Sequence, residues 1–232
     1  MSILTLYHGS TSIIDKPEFG KGKVNNDYGL GFYCTRSIEL AKEWACSTLN
    51  TGYVNTYLID TFDLCILNLH SSEYGILNWL ALLINNRTFT IGSPIALESK
   101  EYLTEYFLPN TNRFDVIEGY RADDSYFTFA MDFVSNTISL RQLTSAMYLG
   151  RYGMQHMIKS EKAFNMLNYT HSEIADGNVY YAKRVDRDRK AREQYLSEVR
   201  SHTRQRNDIF MLDILREEIK HGDTRIRHNI SS

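Results

Sequence analysis

Proline and cysteine are both scarce in this chain, with three of each in 232 residues. Cys34, Cys46 and Cys65 are odd in number and have no Cys-x-x-Cys spacing. That pattern argues against a disulfide framework and against a cysteine zinc site, and makes a reducing compartment the expectation. No apolar run approaches the roughly 20 residues that span a bilayer. No basic-then-apolar leader follows Met1, so the expected setting is the cytoplasm, without a membrane partner. The low proline count and the 13 glycines also speak against a fibrous or disordered chain. What is present is ordinary for a folded protein: 43% of the residues are hydrophobic and 12% are aromatic, on a length that closes a core readily.

Periodicity and breakers place the elements. Strands are expected at Ile3–Tyr7, Phe32–Thr35, Tyr53–Ile59, Leu64–Leu69, Phe114–Tyr120 and Gln155–Lys159. Ser37 caps a predicted helix over Ile38–Leu49, with Leu40, Ala41, Trp44 and Ala45 turned inward. Further helices are expected at Ile76–Asn85, Glu101–Phe107 and Leu140–Tyr148, and from Glu161 onward. Short strands and helices mixed without βαβ regularity imply an α+β fold. The chain reads as a domain over residues 1–178 with a helical extension over 179–232.

Charge separates those two parts. Residues 180–232 hold 13 basic and 9 acidic side chains, a net of +4, while the preceding residues hold 13 and 19, a net of −6. The stretch Lys183–Arg206 has no glycine or proline and reads as a basic helix. A second helix over Asp208–Lys220 carries Ile209, Leu212, Leu215 and Ile219 on one face. The basic helix is either a solvated face packed on the domain or an electrostatic surface for RNA, DNA or an acidic partner.

Two fragments are more specific. Leu6-Tyr7-His8-Gly9-Ser10 ends a strand on a polar step, and Asp27-Tyr28-Gly29-Leu30-Gly31-Phe32-Tyr33-Cys34-Thr35 leads into another. Between them, Lys16–Asp27 is rich in glycine and asparagine and can arch over a slot as a loop. Later come Ala41-Lys42-Glu43-Trp44-Ala45, Phe114-Asp115-Val116-Ile117-Glu118-Gly119 with Ala122-Asp123-Asp124, and Met154-Gln155-His156-Met157-Ile158-Lys159-Ser160-Glu161-Lys162-Ala163.

In that order and spacing the fragments resemble the motifs of the ADP-ribosyltransferase superfamily, over about residues 3 to 168. More narrowly they resemble a bacterial toxin-like branch with a His-Tyr-Gln motif, often encoded beside a small antitoxin. The resemblance implies a split mixed β-sheet core with flanking helices and NAD as substrate. It gives His8 to a ribose hydroxyl, Gly9 to the nicotinamide carboxamide through its main chain, and Tyr33 to the nicotinamide face, with Ser10 and Thr35 beside them in the cofactor site. Trp44, one helix later, is a candidate for the opposite wall on its aromatic character. Gln155 stands where diphtheria-toxin-like members begin a late strand with the catalytic glutamate; glutamine keeps the hydrogen bond and loses the charge. Asp123 and Asp124 are candidates to supply the missing carboxylate, with Glu161 and Glu118 behind them, and Arg36 and Arg87 are candidates for phosphate. His156 points away from Gln155 if the segment is a strand.

Three functions follow as expectations. The first is an NAD-dependent mono-ADP-ribosyltransferase acting on protein, RNA or DNA, as a toxin or phage-defence effector with an antitoxin partner. The second is an NAD glycohydrolase, and the third a non-catalytic NAD or ADP-ribose binding module, to which Gln155 lends weight.

Overall fold

The computed structural model describes residues 3–122, 124–149, 153–201 and 205–228. The fold is α+β, as the mixed short elements predict, and is built on one open, mixed sheet of seven strands in the order β4-β5-β6-β2-β1-β3-β7. The strands are β1 (Ile3–Ser10), β2 (Phe32–Thr35), β3 (Gly52–Asp60), β4 (Ile66–Asn68), β5 (Val116–Tyr120), β6 (Met154–Ile158) and β7 (Leu167–Ala175). β4 and β5 run parallel and every other pair antiparallel.

Alternation along the strands sends two sets of side chains to two faces. Leu6, Cys34, Ile59, Val116 and Ile158 form a small apolar cluster with Phe164, which sits on α6 (Glu161–Asn165). The other face carries the main core. There Ile117 and Met157 meet α2 (Ile76–Asn86), α3 (Pro94–Tyr106), α4 (Asp124–Val134) and α5 (Leu140–Tyr148). Trp79 of α2 is fully buried and its indole N–H donates to the Tyr120 carbonyl at 3.0 Å, so the large ring enters the core without an unsatisfied donor.

Local signals account for most boundaries. Ser37, Ser93, Ser139 and Ser160 each accept a backbone N–H at the start of α1 (Ile38–Ala45), α3, α5 and α6. α1 stops at Ala45, short of the expected Leu49, and the chain then turns into β3. α3 starts seven residues before the expected Glu101, because Ser93 caps it and Pro94 suits a first turn where no N–H is needed.

Three elements are additions to the expected set: α4, β7 and the short α9 (Thr224–His228). α4 buries Tyr126, Phe129, Ala130, Phe133 and Val134, a stripe at helical spacing hidden among aromatic residues of poor helix propensity. β7 pairs with β3 along nearly its whole length, from Leu167 opposite Ile59 to Ala175 opposite Gly52.

α7 (Gly177–Ser201) begins earlier than Lys183 because the Asp176 side chain accepts the Asn178 N–H at 2.9 Å. Its Ala191 and Tyr195 join the main core, as do Met211 and Ile214 of α8 (Met211–Arg216), Ile219, and Ile226 of α9 (Thr224–His228). Tyr195 stacks on Phe129 at 3.8 Å between ring centroids. Residues beyond 178 therefore share one core with those before it.

Candidate functional site

β1 and β2 are the point where the sheet opens. Their register is a single pair, Tyr7 with Thr35, whereas β1 pairs with β3 from Ile3 to Ser10. Past Tyr7 the β2 backbone needs a donor that β1 no longer supplies. His8 provides it: its Nδ1–H reaches the Tyr33 carbonyl at 2.7 Å, and its ring stacks on Phe32 with centroids 4.2 Å apart. That bond leaves Nε2 as an acceptor. Burial pushes the imidazole below its ordinary value of 6.5, outweighing the carbonyl that favours the charged form.

A cavity of about 880 Å³ lies at this opening. His8, Gly9 and Ser10 line it from β1, Tyr33 from β2, Gln155 from β6 and Trp44 from α1. The loop between β1 and β2 contributes Ile14, Lys16, Lys23 and Asp27, and Arg87, Arg121 and Arg184 complete the wall. The expected arching loop is thus part of the cavity.

The loop is pinned at both ends. At the first, the buried Asn55 of β3 accepts the Ile14 N–H at 2.9 Å and donates to the Ser10 hydroxyl at 2.8 Å, while the Tyr57 hydroxyl bonds the Ile14 carbonyl. At the second, the Tyr33 hydroxyl donates to the Gly29 carbonyl at 2.7 Å and accepts the Tyr28 N–H at 3.0 Å. Tyr33 therefore spends its polar end on the loop and keeps its ring for packing. Burial raises its phenol strongly, so it stays protonated.

The buried carboxylate of the site is Asp27; Glu18, also on the cavity wall, is exposed and paired with Lys21. Asp27 Oδ1 meets Arg87 Nε at 2.8 Å, and its Oδ2 accepts the Ala122 N–H and the Gln155 amide, each at 2.9 Å. Arg87 also donates to the Ala122 carbonyl at 2.8 Å. Asp27 lies inside the quoted Asp-Tyr-Gly motif, and its signal was masked by the more conspicuous glycines and tyrosines. Asn55 had no sequence signal beyond its place in a strand.

The remaining candidates fall in different places. Trp44 lines the cavity with the Arg121 guanidinium 4.1 Å from its ring centroid. Thr35 is buried and accepts the Ser37 N–H at 3.2 Å, away from the cavity wall. Asp123 and the side chain of Asp124 lie outside the described residues; the Asp124 backbone opens α4. Glu118 bonds His156 Nδ1 at 3.1 Å, a contact that lowers its carboxyl. Both sit on the opposite sheet face from Gln155, since Gln155 pairs with Gly119 and His156 with Glu118. Glu161 starts α6 on that same face, and Arg36 is exposed.

Gly9 lines the cavity, and helix packing by itself already requires a glycine there. A Cβ there would stand 2.0 Å from the Ala41 carbonyl oxygen, so α1 can only sit on β1 because residue 9 has no side chain. The basic α7 is largely neutralised within the fold. Lys183 pairs with Glu39 and Arg187 with Glu43, both on α1, while within α7 Arg189 pairs with Asp186 and Glu193, Lys190 with Asp186, and Arg192 with Asp188.

The state of His8 has a measurable consequence. Above pH 6.5 the imidazole is neutral folded or unfolded, and pH has no leverage through it. Below that value the unfolded chain takes a proton that the folded protein resists, so stability is lost as pH falls. His70 is lowered by burial as well and adds to the same slope. Thermal melts between pH 8 and 5 should therefore show Tm falling on the acid side, with a shallower fall in His8→Asn.

A family described as "Protein of unknown function (DUF3990)" matches residues 4–169. The chain belongs to this family. The DUF3990 match runs from β1 into β7 and takes in Asp27, Tyr33, Arg87 and Gln155, leaving Arg184 as the cavity residue beyond it. Neither the curated proteins nor the solved structures contain a match to the chain. Among the described residues no cluster of histidine, cysteine and acidic side chains is arranged to hold a metal, and no helix is long and apolar enough to cross a membrane.

Proposed function

We propose that the protein is an NAD-dependent mono-ADP-ribosyltransferase that modifies a macromolecule. The observation that supports this reading is convergence: His8, Tyr33 and Gln155, far apart in sequence and singled out by the motif resemblance, line one cavity large enough for a dinucleotide.

In the reaction the bond between the nicotinamide nitrogen and ribose C1′ breaks, and its electron pair leaves with neutral nicotinamide. The acceptor's nucleophile forms the new bond to C1′ and gives its proton to solvent. In this reading His8 Nε2 accepts a ribose hydroxyl, the Tyr33 ring packs against nicotinamide, and the Gln155 carbonyl oxygen accepts a second hydroxyl. The buried anion needed near a cationic ribose is Asp27. A toxin or phage-defence role with an antitoxin partner rests on the resemblance alone. With the α7 cations engaged by acids, a protein acceptor is favoured over RNA or DNA.

One observation favours a binding-only reading: both Asp27 oxygens already have protein partners, so the carboxylate is not free to take a proton from an acceptor. Incubation with adenine-labelled NAD and a cell lysate, followed by protease or nuclease, separates the possibilities. The expected result is label that protease removes. Label removed by nuclease would reassign the acceptor, nicotinamide release without label would make the protein a glycohydrolase, and intact NAD would overturn the enzymatic reading.

A further inference from the structure

The amide nitrogen of Gln155 has two partners, Asp27 Oδ2 at 2.9 Å and the Tyr120 carbonyl oxygen at 3.2 Å. Neither can donate. Asp27 meets Arg87 with one oxygen and accepts the Ala122 N–H with the other. The Tyr120 oxygen already accepts from the Trp79 indole and the Tyr28 hydroxyl. Chemistry therefore sets the orientation of the amide: its nitrogen faces inward, and its carbonyl oxygen is the atom left for the cavity that Gln155 lines. A carboxylate at position 155 would set an acceptor against two acceptors and a second negative charge at hydrogen-bond distance from the first.

We infer that Asp27 is the anion of this site and the positioning residue for Gln155, so that charge and hydrogen-bond acceptor, which a single glutamate would combine, are divided between two side chains. The placement of both in the NAD cavity rests on the proposed function; the pairing itself does not. Arg87 makes the division stable, because its guanidinium pairs with the Asp27 carboxylate in a largely buried setting.

The test is a pair of double-mutant cycles on the full chain. In the first, thermal melts compare wild type, Asp27→Asn, Gln155→Glu and the double substitution. Gln155→Glu should lower Tm by roughly 5 °C or more. The double should regain part of that loss, since it restores one charge and one amide; the Ala122 N–H, aimed at the oxygen that asparagine replaces, keeps the recovery partial. Losses that simply add would overturn the pairing, and the comparison of Gln155→Glu with the double stands even if Asp27→Asn alone does not fold.

In the second cycle, calorimetry measures NAD affinity. Asp27→Asn should weaken binding by roughly tenfold in the wild-type background, the scale of one hydrogen bond to a polar partner. It should have a clearly smaller effect on top of Gln155→Met, which has no amide to orient, because only the loss of the Asp27 charge remains to be felt there. An equal loss in both backgrounds would make Asp27 act on the ligand directly and overturn its positioning role. If wild type does not bind NAD, the functional reading fails while the melting cycle still decides the pair.

Discussion

Replacing His8 by alanine should lower NAD turnover by at least ~100-fold while leaving a folded protein. The imidazole has two tasks. Its Nδ1–H satisfies the Tyr33 carbonyl where β1 and β2 part, which leaves Nε2 as the ring's acceptor on a residue that lines the cavity. Alanine removes both. The first loss leaves one carbonyl without its donor and one aromatic contact with Phe32 unmade, which costs about 1–3 kcal/mol and is survivable for a domain of this size. On the proposed function, the second removes a hydrogen bond from the reacting sugar. Nicotinamide release measured beside a melting curve separates the two: a Tm lowered by a few degrees with turnover near background is the expected pair. Turnover at the wild-type rate in a folded His8→Ala protein would mean that this cavity is not where NAD reacts.

Gly9→Ala should have the largest effect on stability of any single methyl added to the chain's glycines along the site. Its Cβ would sit 2.0 Å from the Ala41 oxygen and 2.7 Å from the Ala45 nitrogen, both backbone atoms of α1. Backbone cannot rotate aside as a side-chain tip can, so α1 must lift off β1. That helix carries Trp44 to the cavity and Glu39 and Glu43 to α7, so its displacement spreads. The expected loss is at least ~3 kcal/mol, a large share of the net stability of a typical domain. Urea unfolding followed by circular dichroism measures it. Gly92→Ala is the control, because a Cβ there meets nothing within 4 Å. Equal midpoints for Gly9→Ala and Gly92→Ala would contradict the packing of α1 on β1.

How far the site could be read from the chain differs residue by residue. His8 and Tyr33 were legible because each belongs to a short motif at the end or start of a strand, and local pattern survives into the fold. Gln155 was legible as a position, and its meaning was not. Its amide is explained by Asp27, 128 residues earlier, and by a carbonyl that three donors share. Thr35 looked equivalent to Tyr33 two residues away on the same strand, yet its hydroxyl is used by the turn into α1. The basic run in α7 looked like a surface for an external polyanion because its acids are partly in the same helix and partly on α1, and the latter are invisible to a local count.

The sequence by itself determined the α+β class, most strand and helix positions, and the two motif residues at the sheet opening, because these depend on periodicity, caps and short-range spacing. Tertiary structure decided the rest. It gave Gly9 a helix to accommodate, made Asp27 the buried anion through Arg87 and Ala122, turned the Gln155 amide inward, and folded the basic helix onto acidic partners. Each of those outcomes depends on the partner that a side chain meets across the fold, and burial makes that partner, rather than the residue's own type, set its charge and orientation.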